Sequence, residues 1–461
     1  MNAIIVSTLL GVIMMFCSWG IQSQKAQKNI ALFGLFFLIM ANLAQANGWY
    51  VFNYDTKGML AFDVFGLYAN TLLFALTFIY VWINGEEISK LSNAAADFYS
   101  LIFFILCGVS ILTSFDNLLM LFIGIEILSI PLYILTGADK KNMLSNEAAL
   151  KYFLMGSFST GILLLGITFI YGGTGSFHLA QPFIHISTGM VQEQLLVSAG
   201  LILIFAAMNF KVSAAPFHFW TPDVYDGAPT VFTSFMATIA KAAGFIAFVK
   251  VFKTQYLALG YSWTILLTFV ILSTLLVGNI IAVFQRSVKR MLAYSSIAQA
   301  GFMLFALYGK SEISNESILL YAVAYSIATI GIFAVLVKMK ENSFEAFNGL
   351  GKAHPLLAFT TTVFLFSLAG IPLTGGFFAK YYMLNNLLKA GAGLWLILVA
   401  VIFAAISIYY YFKIIQAMYF TAGEPAIGPM PKNYKYQLLV LAIVLLVLGV
   451  LPNLLLNYLY F

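Results

Sequence analysis

The 461-residue chain is 62% apolar and only 9% charged. Soluble proteins are about 45–50% apolar and about 25% charged, and a single globular core stops growing at ~250–300 residues. The composition therefore excludes a soluble enzyme, a nucleic-acid-binding module and a disordered chain, and it indicates an integral membrane protein. The chain has 23 Lys and Arg and 17 Asp and Glu. Because charged residues are so few, their positions are the most informative feature of the sequence about function.

Apolar runs of the ~20 residues that cross a bilayer recur along the whole chain. We predict an all-α polytopic membrane protein with about fourteen spans, centred near residues 11, 39, 73, 104, 126, 160, 204, 241, 272, 299, 328, 370, 405 and 446. The first run has no basic leader, so it is interpreted as a true span and not as a signal peptide. No soluble domain fits between the spans.

The basic residues of the loops are distributed unequally between the two predicted sides, which indicates orientation. Fourteen fall on one side: Lys25, Lys28, Lys90, Lys140, Lys141, Lys151, Arg286, Lys289, Arg290, Lys338, Lys340, Lys352, Lys432 and Lys435. Five fall on the other: Lys57, Lys250, Lys253, Lys310 and Lys389. The richer side is predicted to be cytoplasmic, and because the number of spans is even, both termini are predicted to be periplasmic.

Five charged residues are predicted to lie inside spans: Glu126, Lys211, Lys241, Lys380 and Lys413. A charge at the bilayer centre costs ~2.5–3.5 kcal/mol on insertion scales, so such residues face the protein interior and mark ion or proton paths. An ion pair that only fixes helix packing is the alternative, and four groups on different helices disfavour it. Lys413 is the exception, because it lies near a span end, where its stem can extend to the interface; it could also end a proton path.

Lysine suits proton transfer in a dry interior, because burial disfavours its ammonium form and a nearby carboxylate favours it. Glu126 and Lys211 are the natural candidates for such a switchable pair, with Lys241 and Lys380 as relay sites further along. His218 is a possible relay between Lys211 and Lys241. A packing histidine that is bonded to a carbonyl explains it equally well.

Two spans are interrupted, and each interruption has a lysine beside it. The seventh span contains Pro216, five residues after Lys211, and the twelfth contains Pro372 and a glycine pair at 375–376, just before Lys380. Such breaks are tolerated only where neighbours or water satisfy the freed backbone, and paired breaks indicate a transport site in repeat transporters. Two ordinary proline kinks are the alternative.

The two breaks lie five spans apart, and because five is odd, a five-helix unit repeats in inverted orientation. This spacing predicts two inverted five-helix repeats, spans 4–8 and 9–13. A single membrane domain, 1–461, then contains residues 1–94 (spans 1–3), 95–255 (first repeat), 256–422 (second repeat) and 423–461 (span 14).

Other chemistry has little support in the sequence. Cys17 and Cys107 lie in apolar runs without ligand spacing, and the histidines form no metal pair. No phosphate-binding glycine loop and no nucleophile with a paired base is visible. We therefore expect no cofactor, no metal and no redox active site in this chain. Ser295 and its neighbours Tyr294 and Ser296 follow a basic loop, and they could line a polar cytoplasmic entrance or anchor the helix at the interface.

Three segments resemble one known family. NFKVSAAPFHFWTPDVYDGAPT, QRSVKRMLAYSSIAQAGFM and AGIPLTGGFFAKYYM are similar to signature segments of the proton-translocating, antiporter-like subunits of respiratory complex I. The resemblance extends from about span three to span thirteen. Within the family, the lysines at 241 and 380 and the end after span fourteen are most similar to the bacterial subunit N branch.

This resemblance implies that the chain pumps protons as a part of NADH:quinone oxidoreductase in the bacterial inner membrane. It implies that Glu126 is the span-five carboxylate, Lys211 the span-seven lysine, Lys241 the central lysine and Lys380 the lysine near the outward exit. NADH, FMN, iron–sulfur clusters and quinone would bind partner subunits, and neighbouring antiporter-like and small membrane subunits would contact this chain. The alternatives are an Mrp-type sodium/proton antiporter subunit, a membrane subunit of a related hydrogenase, and a purely structural or lipid-flipping protein.

Overall fold

The computed structural model describes residues 1–92, 94–308 and 312–457, and it describes the side chains of all of these except residues 183, 187, 188, 253–262, 312, 313 and 432. Lys310 therefore lies outside the described residues, as do the side chains of Lys253 and Lys432. Within the described ranges the chain is helical, and the only β pairing consists of isolated bridges.

The α-helices in chain order are α1 Asn2–Gly20, α2 Gln24–Ala46, α3 Val64–Leu91, α4 Ala95–Ser114, α5 Leu118–Thr136, α6 Met143–Thr174, α7 Gln181–Thr188, α8 Val191–Val212, α9 Trp220–Gly227, α10 Thr230–Phe235, α11 Lys241–Val283, α12 Val288–Met303, α13 Glu312–Lys338, α14 Leu350–Ala353, α15 Pro355–Ala369, α16 Gly375–Lys389, α17 Leu394–Phe420, α18 Lys432–Leu448 and α19 Asn453–Leu456. A π-helix, Met236–Ala240, joins α10 to α11, and 3₁₀ turns occur at Leu304–Tyr308 and Glu345–Phe347.

The hydropathy pattern accounts for these helices. Twelve helical segments of the described chain are long and apolar enough to cross a membrane, and two shorter apolar helices, Pro355–Ala369 and Asn433–Leu448, bring the number to fourteen. Thirteen of the predicted centres lie inside these segments, and residue 370 lies in the break after Pro355–Ala369. The all-helical, multi-pass prediction is confirmed. The connection predicted between spans eight and nine is itself helical, as part of α11.

The chain forms two compact units, the first made of Met1–Ser213 and Ile239–Leu267, the second of Ala214–Thr238 and Thr268–Phe461. In the first unit, α6 and α8 pack closely through Gly166 and Gly200. A Cβ on either glycine would lie 2.7–2.8 Å from the backbone oxygen of the other, as expected where small residues let membrane helices approach. The repeat boundaries predicted above stay a prediction.

The second unit is built around α13. Its span Ser314–Lys338 is almost completely buried, and α15, α16 and α18 pack against it. Because α13 is apolar on all sides, it can be surrounded by other helices, as expected for a core helix. The polar groups that do lie on it therefore face protein and not lipid.

Both predicted interruptions are present. Helix α8 ends at Val212, Ser213 adopts a left-handed conformation with φ 65°, and helix resumes at Trp220. Helix α15 ends at Ala369, Gly370 has φ 84°, and α16 begins at Gly375. The π-helix directly before Lys241 is a third irregularity, which the sequence did not predict. Such π-turns occur frequently at functional sites.

Candidate proton-translocation site

Lys211 is held by a hydroxyl group. It lies in the last turn of α8, and its Nζ donates a hydrogen bond to Ser129 Oγ on α5. Ser129 in turn donates to the Ile125 carbonyl. Glu126 directly follows Ile125 in α5, but no ion pair within 4.0 Å joins it to Lys211 in the described chain. The predicted partners are therefore neighbours without direct contact.

A small cavity of about 10 Å³ lies beside Lys211. Its polar lining comes from Tyr133, Ser159, Thr160 and Lys211. This volume holds about one water molecule, and the lining offers the polar partners that a buried water needs. Gly156 keeps the space open, because a Cβ there would lie 2.1 Å from Tyr133 Oη.

Glu126 is less enclosed than expected for a charge in a span. Both Glu126 and Lys211 are partly exposed, whereas Lys241 and Lys380 are 3% and 7% exposed. Glu126 lies on a face of α5 whose other members are exposed apolar residues: Leu119, Ile123, Ile130 and Ile134. Because a carboxylate facing lipid is costly, this face needs a cover.

Lys241 lies deep in the first unit, at the start of α11. Three residues later, Gly244 faces the end of α8, where a Cβ would lie 3.3 Å from Val212 and 3.8 Å from Lys211 Cγ. The absence of a side chain at Gly244 lets the two lysine-bearing helices pack closely. The π-helix before Lys241 alters the local backbone hydrogen bonding, which is one way to direct a side chain inward.

His218 belongs to the second unit, in the segment between α8 and α9. It is buried, its ring packs against Phe219 with centroids 4.6 Å apart, and Nδ1 has no hydrogen-bond partner among the described residues. Lys211 and Lys241 belong to the first unit, and the relay role of His218 stays a prediction.

Lys380 is held by main-chain carbonyls. Its Nζ donates to Leu368 O at 3.0 Å and to Ala369 O at 2.8 Å, and it lies 5.0 Å from the centre of the Phe302 ring. These carbonyls belong to the last turn of α15, which has no further helical donors and carries a partial negative charge. The break in span twelve thus supplies the acceptors for its own lysine.

Two glycines make this arrangement possible. A Cβ at Gly370 would lie 2.8 Å from Lys380 Cδ, and one at Gly376 would lie 1.8 Å from Ser367 O. At Gly370 the φ of 84° is also in the left-handed region that favours glycine. The sequence indicated a break here, but it did not show that Gly370 makes room for the Lys380 side chain or that Gly376 lets α16 approach Ser367.

A hydrogen-bonded network continues from Lys380 through the second unit. Gln299 Nε2 donates to the same Leu368 carbonyl at 2.9 Å and to Tyr411 Oη at 3.2 Å. Tyr411 pairs with Ser295, and Tyr321 donates to Gln299 Oε1. Ser295 was singled out in the sequence, either for a polar entrance or for an anchor at the interface. Gln299, Tyr321 and Tyr411 were not, because their roles depend on tertiary contacts between α12, α13 and α17.

Three charged side chains that are not among the five predicted inside spans are nevertheless buried. They are Glu316, Lys289 and Lys338, with 9%, 4% and 5% exposure. Lys289 donates to Asp226 O and Ala228 O at 2.8 and 2.6 Å, and Lys338 lies over the Tyr434 ring at 4.5 Å. The long lysine stems allow this burial. Glu316 was missed, since only Glu126 was expected to be deeply placed.

Lys413 lies two turns before the end of α17, as predicted. Its Nζ donates to Val283 O at 2.8 Å and lies near the rings of Tyr409 and Phe344. The side chain is partly exposed, in agreement with an ammonium that extends toward the interface. In the part of the chain with described side chains, no group of three or more His, Cys, Asp or Glu is placed to hold a metal ion.

Lysines of membrane spans beside interrupted helices define a multi-pass membrane protein of the antiporter-like class. A family model described as NADH:quinone oxidoreductase/Mrp antiporter, TM, matches residues 116–407, and the chain belongs to that family. NADH-quinone oxidoreductase subunit N of Flavobacterium psychrophilum is 39% identical over 467 residues, with 100% of each chain covered.

Solved structures agree with this assignment. A chain of respiratory complex I from Thermus thermophilus with bound aureothin has a TM-score of 0.83 and 31% identity, over 99% of this chain and 98% of that one. A chain of the membrane-bound sulfane sulfur reductase, an archaeal respiratory membrane complex, has a TM-score of 0.87 at 23% identity, over 100% and 96%. The second likeness concerns the fold alone.

Proposed function

We propose that this chain is the proton-translocating subunit N of a NADH:quinone oxidoreductase. The observation that carries the proposal is the set of lysines built into the membrane spans, two of them beside helix interruptions, in a chain that is similar to subunit N over its whole length. Packing alone does not explain a water-sized cavity at one lysine and carbonyl acceptors at another. A proton-transfer role gives each a purpose, since water carries protons and carbonyls stabilise the ammonium form.

At the first site, Lys211 exchanges a proton with its surroundings through Ser129 and the adjacent cavity. A hydroxyl group can accept from an ammonium and can donate to a neutral amine. Ser129 can therefore serve both protonation states of Lys211 by turning its hydrogen. Glu126 stabilises the ammonium when its carboxylate is close and charged, and it thereby sets the direction of transfer.

At the second site, the network of Ser295, Tyr411 and Gln299 ends at the Leu368 carbonyl that also accepts from Lys380, and it lines the polar route by which water carries protons to that lysine. Ser295 lies about two turns into α12, the helix that follows the basic loop on the side predicted to be cytoplasmic. On the other side of Lys380, α16 packs against the part of α13 that carries Glu316. Asn386 accepts from Ser314 at 3.0 Å there, so a polar exit towards the periplasm is available.

The cofactors of the complex bind outside this chain. NADH, FMN, iron–sulfur clusters and quinone bind other subunits, and the reaction as a whole belongs to the complex. The exposed apolar face around Glu126 is the surface that a neighbouring membrane subunit covers. The chain resides in the bacterial inner membrane with both termini in the periplasm.

The test is proton pumping by the purified complex in sealed vesicles. NADH-driven acidification is compared for the wild type and Lys211→Ala, with Lys352→Ala as the control, because Lys352 is an exposed lysine of α14. We expect acidification to fall to background in Lys211→Ala only. Unchanged pumping in Lys211→Ala would refute the role of Lys211 in proton translocation.

Replacing Na⁺ with K⁺ in the assay distinguishes a proton pump from a sodium/proton antiporter. The antiporter would lose activity, and the proton pump would not.

A further inference from the structure

A cavity of about 690 Å³ opens in the second unit, away from the lysines that translocate protons. We name it the basic pocket, and its charged and amide lining consists of Arg286, Lys413, Glu345, Gln285, Gln416 and Asn348. Two cations therefore face one carboxylate. In the described chain neither Arg286 nor Glu345 takes part in an ion pair, so both remain available to a ligand.

The basic pocket lies at a level where spans end. Helix α11 ends at Val283, whose carbonyl accepts from Lys413, and α17 ends two turns beyond that lysine. Large aromatic side chains beside it point outward: Phe284 is 77% exposed and Phe420 is 82% exposed. Exposed apolar rings at span ends are suited to contact with lipid acyl chains where the hydrocarbon layer ends.

We propose that the basic pocket binds the headgroup of a phospholipid. Arg286 offers a planar fork that matches a phosphate, and Lys413 adds a point charge. The acyl chains would then lie against Phe284 and Phe420. Basic pockets between membrane helices on the cytoplasmic side are a recognised form of lipid site, and the volume is much larger than a bare phosphate needs.

Glu345 determines which headgroup fits best. A carboxylate in the pocket opposes a strongly anionic headgroup, but it pairs with a headgroup amine. Phosphatidylethanolamine carries both the phosphate and the ammonium, so its charges complement Arg286, Lys413 and Glu345. Lipid binding at this pocket depends on the membrane location of the chain and not on proton pumping. A result that refutes proton pumping would therefore leave the lipid site untouched.

The assembled protein is extracted from its membrane with detergent, and the lipid that remains bound to it is measured. Mass spectrometry quantifies retained phosphatidylethanolamine and phosphatidylglycerol after exchange into mixed micelles of both lipids. We expect the wild type to retain phosphatidylethanolamine preferentially. Arg286→Gln lowers that retention about tenfold, the loss expected for one charge-assisted hydrogen bond. Lys352→Gln, at an exposed lysine outside the pocket, leaves it unchanged.

Glu345→Gln separates headgroup selection from simple charge attraction. It should raise phosphatidylglycerol retention and remove the preference for the amine. Inorganic phosphate and glycerophosphoethanolamine are added as water-soluble competitors, and neither should displace the lipid at concentrations equal to it. Displacement by inorganic phosphate alone would make the site a free-anion site and overturn the proposal. Equal lipid retention in wild type and Arg286→Gln would also overturn it.

Discussion

Lys211 and Lys380 are both lysines beside an interrupted span, but their ammonium groups contact different acceptors. Lys211 precedes its break and donates to the Ser129 hydroxyl, beside a cavity of about 10 Å³. Lys380 follows its break and donates to two carbonyls, at 2.8 and 3.0 Å, with an aromatic face nearby. A helix break therefore does not produce one fixed kind of site.

The difference concerns the protonation states that each site can satisfy. A hydroxyl group is both donor and acceptor, whereas a carbonyl only accepts. The Ser129 site suits an amine that alternates between charged and neutral forms. The carbonyl site favours the charged form, because the helix C-terminus carries partial negative charge and bonds to an ammonium are stronger than bonds to a neutral amine. Movement of the ammonium away from the end of α15 therefore promotes release of a proton from Lys380. We infer that Lys211 is the exchange point and Lys380 the controlled exit.

The largest effect is expected from removing the exit charge. Lys380→Met leaves the Ala369 carbonyl without its side-chain donor, although Gln299 still donates to Leu368 O. It also removes the transferable proton, so we expect acidification in vesicles to fall to background. Lys352→Met is the control for loss of a lysine. Pumping at the wild-type level in Lys380→Met would show that the carbonyl site is only structural.

Gly370→Ala tests the position of Lys380 without removing it. The new Cβ would lie 2.8 Å from Lys380 Cδ, so the ammonium has to shift away from its carbonyls. We expect about tenfold slower pumping, which corresponds to about 1.4 kcal/mol in the barrier. Gly391→Ala is the matched control, because Gly391 also has a positive φ but has nothing within 4 Å of the added Cβ. Equal rates in both variants would contradict the positioning role.

Ser129→Ala tests the hydroxyl at the first site. Loss of one hydrogen bond to a charged group costs about 1.5–3 kcal/mol, so we expect pumping to slow at least about tenfold. Ser129→Thr keeps a hydroxyl and should recover part of the rate. Ser110→Ala removes another buried serine of a span, one that donates to Leu106 O, and should leave pumping near the wild-type rate. A similar loss in Ser110→Ala would point to general destabilisation.

The smallest effect is expected at the cavity. Gly156→Ala displaces Tyr133 Oη and fills the space beside Lys211, so we expect pumping to slow by a few-fold while the complex still assembles. Gly161→Ala, on the same helix and with nothing near the added Cβ, is its control. Pumping rates in heavy and light water add a second readout. Loss of a water molecule that relays the proton changes the isotope effect, whereas a purely steric effect of the added methyl group does not.

Much of the fold could be predicted because hydropathy is a local signal. The apolar runs, the proline near Lys211 and the glycines near Lys380 are visible in the sequence, and the spans and both breaks follow from them. The π-helix before Lys241 could not be predicted, since its backbone pattern is set by packing and not by a residue type.

The candidate site was predictable in its charges and not in its contacts. Glu126, Lys211, Lys241 and Lys380 are conspicuous because charge in an apolar run is costly. The Ser129 acceptor, the carbonyl acceptors at α15 and the role of Gln299 come from residues far apart in the chain. Glu126 lies on an exposed helix face, and Glu316 lies on a buried helix. Neither environment could be predicted from the sequence, because burial depends on neighbouring helices.

The central claim is that Lys211 must gain and lose a proton and does not act as a fixed charge. Lys211→Arg tests this directly, because arginine keeps the positive charge but does not deprotonate in proteins. Protons pumped per NADH oxidised are measured in vesicles that contain the Lys211→Arg complex, alongside wild type and Lys352→Arg. We predict that the ratio falls in Lys211→Arg and stays at the wild-type value in Lys352→Arg. A wild-type ratio in Lys211→Arg would contradict the account.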